Sequence, residues 1–243
     1  MKIVIPVSLH DSKLINAFCD IVLFFSPYIN HELLVVVRPS DYKHGIEVFN
    51  RLSGKFLNPK IYIFDDDGPR GWPKGPNHYW RETVRYLDNT NNKLPWLWME
   101  MDCTPVINGW IDKIENEYIA KANNGCLGNI QSLLTGDELE HMVGAGVYPY
   151  DFGKRTKLWK SIDDDSLAFD VHCRAESLPM CKDSKTIGFH FRTRKYDCGA
   201  EGMQGVTLTE QFIKYLFHRP VSKKTALVHG CNDGSLARLI TNT

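Results

Sequence analysis

At 243 residues, with 43% hydrophobic and 12% aromatic content, the chain is long enough to bury a substantial core. Lysine plus arginine balance aspartate plus glutamate at 29 each, which excludes broad electrostatic steering toward nucleic acid or an acidic membrane, although not a local basic patch. The seven cysteines show neither paired CxxC spacing nor a small disulfide framework, and no stretch reaches the roughly 18 apolar residues of a membrane span, so a reduced, cytoplasmic protein with no membrane partner is expected.

The first third alternates two kinds of segment. KIVIPVS, ELLVVVRPS and PKIYIFDDDG are short β-rich runs, and LINAFCDIVLFFSPY and DYKHGIEVFNRLSG between them have helical length. This order predicts βαβαβ and a mostly parallel sheet. Ligands bind at the C-terminal edge of such sheets, so Ser8 to Asp11, Arg38 to Ser40 and Asp65 to Gly68 are expected on one polar rim. GWPKGPNHYW reads as a loop on its glycines and prolines, WRETVRYL as a short helix and PWLWME as a buried strand. Ile107, Trp110, Ile111, Ile114 and Tyr118 then recur at helical spacing, with Asp112, Lys113, Glu115 and Glu117 on the other side.

The second half is less regular. CLGNIQ, HMVGAGVYPY and TIGFHFRTR read as strands, RTKLWKSI and TLTEQFIKYLF as helices, and ALVHGCNDGSLARLI as a strand, a Gly-rich turn and a helical tail. No internal repeat or low-complexity linker interrupts the chain. The expectation is one α/β, Rossmann-like domain over 1–243, with a mostly parallel central sheet and a mixed C-terminal half.

PWLWMEMDCTP poses the chemical question: an apolar strand ends in two acids, Glu100 and Asp102, and then stops at Pro105. Acids two apart share a face, and burying both is costly without a partner. Two loop carboxylates with a third ligand from elsewhere suit a hard divalent cation, Mn²⁺ or Mg²⁺. His229, after a short apolar strand and before a Gly-rich turn, can complete such a shell as a neutral imidazole. The competing readings are acids that cap the helix beginning near Asn108 and a structural histidine. The nine histidines are dispersed, which argues against a structural zinc site.

An N-terminal βαβαβ half, the acid-x-acid Glu100-Met101-Asp102 ending a central strand, and the late His229 together resemble the GT-A class of nucleotide-sugar glycosyltransferases, in order along nearly the whole chain. Here the motif begins with Glu in place of Asp. The resemblance implies that Asp102 and His229 hold Mn²⁺ or Mg²⁺ against the diphosphate of a donor, most simply a UDP-sugar, with Glu100 near its ribose or sugar. It implies a donor-binding half over 1–104 and an acceptor-binding half over 105–243. It also implies an acid in the later half that serves the acceptor, for which Asp170 in LAFDVHCRAE is the candidate catalytic base, with a helix cap as the alternative.

Other residues follow from their settings. Gly71 and Gly75 permit close backbone approach, and Lys74 and Asn77 can reach phosphate or sugar hydroxyls unless the segment is a plain turn. Asp65 and Asp66 can meet the base or ribose, or belong to a solvated turn. His141, beside a Gly-x-Gly segment, is a candidate acceptor contact. Trp72, Trp80 and Trp159 can stack on a sugar or serve the core. Arg192 and Arg194, two apart on a strand-like run with Lys195, can bind diphosphate and acceptor, or form a solvated edge.

The activity expected is transfer of a sugar to a hydroxyl acceptor. The acceptor is read either as a hydroxymethylated pyrimidine in bacteriophage DNA, which would place the enzyme in a host cytoplasm and lay the RTRK segment along phosphate, or as a glycan or small metabolite; zero net charge stands against DNA. A nucleotidyltransferase would carry a Gly-rich basic loop after its first strand, and KIVIPVSLHDS has none. A non-catalytic module on a nucleotide fold is the remaining class.

Overall fold

Four parallel strands form the centre of the molecule. In the computed structural model, which describes residues 1–122, 124–131, 140–162, 167–189, 224–230 and 234–242, the chain begins as β1 (Lys2–Val7), α1 (Ile15–Phe24), β2 (Tyr28–Val37), α2 (Tyr42–Leu52), β3 (Phe56–Ile63), α3 (Lys74–Asn89) and β4 (Trp96–Trp98). The strands lie in the order β3-β2-β1-β4, all parallel. The alternation read in the sequence therefore appears as expected, with one shift: α3 starts at Lys74, inside the segment expected to be a loop. Pro76 is tolerated there because the first-turn amide it removes would have no intrahelical acceptor.

The later chain adds β5 (Thr104–Pro105), α4 (Trp110–Lys121), β6 (Cys126–Gln131), β7 (His141–Tyr148), the short helices α5 (Phe152–Arg155), α6 (Phe169–His172) and α7 (Arg174–Ser177), then β8 (Cys181–Asp183), β9 (Ile187–Phe189), β10 (Leu227–His229) and α8 (Ser235–Thr241). RTKLWKSI becomes a 3₁₀ turn at Leu158–Ser161. TLTEQFIKYLF lies outside the described residues. β7, β6 and β8 extend the central sheet to seven strands, β3-β2-β1-β4-β7-β6-β8, with β7 antiparallel to both β4 and β6. A small second sheet has the order β5-β10-β9.

Both faces of the central sheet are covered, which is why its strands read as continuous apolar runs. Ile3, Ile5, Leu33, Val35 and Leu97 pack on one side with Phe18 and Trp110. Val4, Leu34, Val36, Trp96 and Trp98 pack on the other with Trp80 and Phe169. The period of two assigns each β4 side chain to its face. Beyond Trp98 the same parity persists: Met99, Met101 and Cys103 stay in the first core, and Glu100 and Asp102 leave it half-buried at the strand's C-terminal end.

Candidate metal and donor site

Glu100 and Asp102 reach the rim because β4 stops three residues after it enters the sheet. The chain turns, with the Cys103 N–H donating to Glu100 O at 3.0 Å, and runs out as β5. β5 pairs antiparallel with β10, Thr104 opposite Val228 and Pro105 opposite Leu227. That pairing brings His229 to the acids. Its Nε2 stands 3.1 Å from Glu100 Oε2 and 3.3 Å from Asp102 Oδ1. Burial works to lower the His229 pKa, but the two carboxylates outweigh it and raise it well above the usual histidine range. A positive charge is therefore favoured between the acids.

Two further contacts fix Glu100. The Trp98 indole N–H donates to Glu100 Oε1 at 2.9 Å, leaving Oε2 for His229. Gly144 on β7 makes the room: a Cβ there would come 3.1 Å from Glu100 Oε1 and 3.0 Å from the Phe169 ring. The Gly-x-Gly segment thus serves the site by accommodating a side chain.

Asp11, in the 3₁₀ turn Leu9–Asp11 that follows β1, is a residue that sequence reasoning placed on the rim without assigning it a role. Burial raises its pKa; the Ser8 hydroxyl, which donates to Oδ2 at 2.6 Å, opposes this, and Glu100 and Asp102 add to it. The Asp11 carboxyl, in the turn after β1, thus sits in the field of both acids, which lie just past β4.

The donor set fits a divalent cation. Asp102 Oδ1 is buried with His229 Nε2 3.3 Å away, and Asp102, Cys103 and His229 each offer a donor atom within 4.8 Å of the others. Helix capping does not account for the acids, because the residue before α4 is Gly109, in the left-handed region at φ 65°, and no side-chain cap bond forms. His31, Asp112 and Glu115 form another such group at the start of β2. There the Met1 amine donates to Glu115 Oε1 at 2.6 Å, and His31 Nε2 lies 2.9 Å from Asp112 Oδ1, so its members largely satisfy one another.

Asp170 lies on the same rim from the other face. Phe169, its neighbour in α6, stacks on Trp80 of α3 with centroids 4.3 Å apart. Asp170 Oδ1 accepts the Val171 N–H at 2.9 Å, and Oδ2 stands 3.9 Å from His141 Nε2. Burial raises the Asp170 pKa, the His141 charge opposes this, and Glu100 adds to it. Gly144 lies against both the Phe169 ring and Glu100 Oε1, which sets α6 beside the acid-x-acid segment.

The remaining candidates divide. Lys74 opens α3 at the same sheet edge. Asn77 is fully buried within α3, and its Nδ2 donates to Leu167 O at 2.9 Å, tying α3 to the segment that leads into Asp170. Asp65 and Asp66 are exposed at the end of β3, with Asp66 Oδ1 3.4 Å from His78 Nε2. Trp80 and Trp159 are core residues, whereas Trp72 is 78% exposed at the α3 start. Arg192 and Arg194 lie outside the described residues.

Comparison with solved structures supplies the fold. The galactosyltransferase LgtC, in complex with donor and acceptor sugar analogues, matches 95% of this chain and 87% of its own with a TM-score of 0.53 at 12% identity. Mouse xyloside xylosyltransferase 1 matches 96% of this chain and 98% of its own, with a TM-score of 0.55 at 7% identity. The bifunctional glycosyltransferase WbbM matches 94% of this chain and 45% of its own, with a TM-score of 0.53 at 10% identity. No protein-family model and no curated protein matches the sequence. The chain has the GT-A glycosyltransferase fold, a mixed α/β architecture with a large, mostly parallel central sheet.

Proposed function

We propose that the protein is a metal-dependent glycosyltransferase that moves a sugar from a nucleoside diphosphate sugar, with UDP as the expected nucleotide, to a hydroxyl acceptor. The observation that carries this reading is the meeting of Glu100, Asp102 and His229 at 3.1 and 3.3 Å on the C-terminal edge of a GT-A sheet. No helix among the described residues is long and apolar enough to cross a membrane.

A bound Mn²⁺ or Mg²⁺ would act as a Lewis acid on the charge that develops on the departing diphosphate. Asp102 and His229 would hold it. Glu100, oriented by Trp98, faces the donor's ribose or sugar, and Asp11 stands beside it. Lys74, at the α3 N-terminus where anions are favoured, answers to the diphosphate, and Asp65 and Asp66 to the base or ribose. Arg192 is assigned to the donor by its sequence setting alone.

Asp170 serves as the base that takes the acceptor hydroxyl proton on Oδ2, the oxygen facing His141; a raised pKa brings it nearer the working pH, as proton transfer requires. His141 and Arg194 belong to the acceptor side. Residues 1–104 then form the donor half and 105–243 the acceptor half, with His229 contributed by the second to the centre of the first. The zero net charge favours a glycan or small-molecule acceptor over DNA.

The test is release of UDP from a panel of UDP-sugars with and without Mn²⁺. Metal-dependent release, reduced by about 10³-fold or more in Asp102→Asn and His229→Ala, supports the reading, since several kcal/mol of charge stabilisation are removed. Turnover that persists in both variants, or pyrophosphate release from a nucleoside triphosphate, overturns it.

A further inference from the structure

Cys103 follows Asp102 directly and is 1% exposed. Its place is set by the small sheet. Thr104 pairs with Val228 and Pro105 with Leu227 in an antiparallel register, and one further step of that register sets Cys103 opposite His229. Residues directly opposite in an antiparallel pair carry Cβ atoms about 4.5–5.5 Å apart. The thiol accordingly lies within 4.8 Å of donor atoms of both Asp102 and His229. A tetrahedral ion with bonds of about 2.0–2.3 Å holds its donors roughly 3.3–3.8 Å apart, inside that limit.

The chemistry of this trio differs from that of the acids alone. Carboxylate oxygens suit Mg²⁺ and Mn²⁺, whereas a thiolate beside an imidazole and a single carboxylate is a donor set for Zn²⁺ or Co²⁺. Asp102 and His229 belong to both sets. What distinguishes the second set is Cys103, which faces the core.

We propose that Cys103 is a further metal ligand of the site, and that Asp102, Cys103 and His229 take a thiophilic divalent cation, Zn²⁺ or Co²⁺, more tightly than Mg²⁺. This rests on the metal-binding reading of the same site. It makes the identity of the loaded ion a property of the surrounding supply: a hard ion is held through Asp102 and His229, and a thiophilic one through the thiol as well.

The full-length chain, freed of metal, is titrated with Co²⁺ while thiolate-to-cobalt charge-transfer absorption in the near ultraviolet is followed. Mn²⁺ binding is measured separately by calorimetry. The expected result is a charge-transfer band that saturates, is abolished by Zn²⁺ and survives an excess of Mg²⁺ over Co²⁺ of about tenfold. The band disappears in Cys103→Ser and also in His229→Ala, which separates it from any band produced by the other six cysteines. Co²⁺ bound without the band in the unmodified protein, or a band that persists in either folded variant, overturns the proposal and needs no comparison with a misfolded one. Mn²⁺ binding without a cobalt–thiolate band removes Cys103 alone. If neither Mn²⁺ nor Co²⁺ binds, the metal-dependent reading falls with it.

Discussion

Trp98 and Glu100 are joined by a 2.9 Å hydrogen bond from the indole N–H to Oε1, and this bond turns the other carboxylate oxygen toward His229. Groups that orient a metal site in this way typically contribute about 10–100-fold to affinity. Trp98→Phe keeps most of the buried ring and removes the donor. Its expected effect is a loss of roughly tenfold in Mn²⁺ affinity by calorimetry; unchanged affinity would show that Glu100 needs no such support.

Asp170→Asn keeps the shape of the side chain and removes its capacity to accept a proton. A fall in kcat of about 10²–10⁴-fold is expected, with Mn²⁺ binding retained. The raised pKa of Asp170 places the acid limb of the unmodified protein's kcat profile above the ordinary carboxylate range. Activity falls as pH drops through that limb because the base becomes protonated, and the variant's residual rate should lack the limb.

Trp80 links core to chemistry. It stacks on Phe169 and also packs on Trp96, Trp98 and Tyr148. Trp80→Leu is expected to cost about 3 kcal/mol, read as a melting temperature lowered by roughly 6–12 °C. Because Phe169 immediately precedes Asp170, kcat at a temperature where the variant remains folded should fall more than donor KM rises. Equal loss in both would place the effect outside the Asp170 side.

Glu117 supplies the pH dependence of stability. Its carboxylate accepts the Thr186 N–H at 2.9 Å, the Thr186 hydroxyl at 2.6 Å, the Ser184 hydroxyl at 2.9 Å and the Lys185 N–H, and it pairs with Lys121. Burial works to raise its pKa, but these bonds outweigh it and hold the group at about 2 against an ordinary 4.5. A depressed pKa stabilises the fold above the ordinary value and ceases to do so as pH falls from about 4.5 through 2. Glu117→Gln should flatten the acid limb of melting temperature against pH across that window. An unaltered limb would assign acid unfolding to other groups.

The parts of the fold carried by local pattern were legible in the sequence. Apolar runs bounded by turns located β1 to β4, of which β1, β2 and β4 are largely buried while the edge strand β3 is mostly exposed or half-buried, and the strand-end rule placed Ser8 to Asp11, Asp65 to Gly68 and the Glu100–Asp102 pair on one edge. What escaped depends on long-range pairing. Thr104–Pro105 is a strand only because Leu227 and Val228 lie beside it, and two residues carry no periodicity. Glu117 read as part of a solvated helix face, yet its acceptors are used by the turn at Ser184 to Thr186, nearly 70 residues later. Asn77 read as a loop polar group, but α3 begins three residues before it and turns it inward.

The β5–β10 pairing also has a bearing on timing. Glu100 and His229 are separated by 129 positions, so during synthesis the two acids emerge long before the imidazole that completes their set. Closing so long a loop is entropically costly and slow relative to local folding. A nascent chain can therefore assemble its parallel strands before His229 meets the acids, and on the proposed reading metal binding would report that the C-terminal strand has docked.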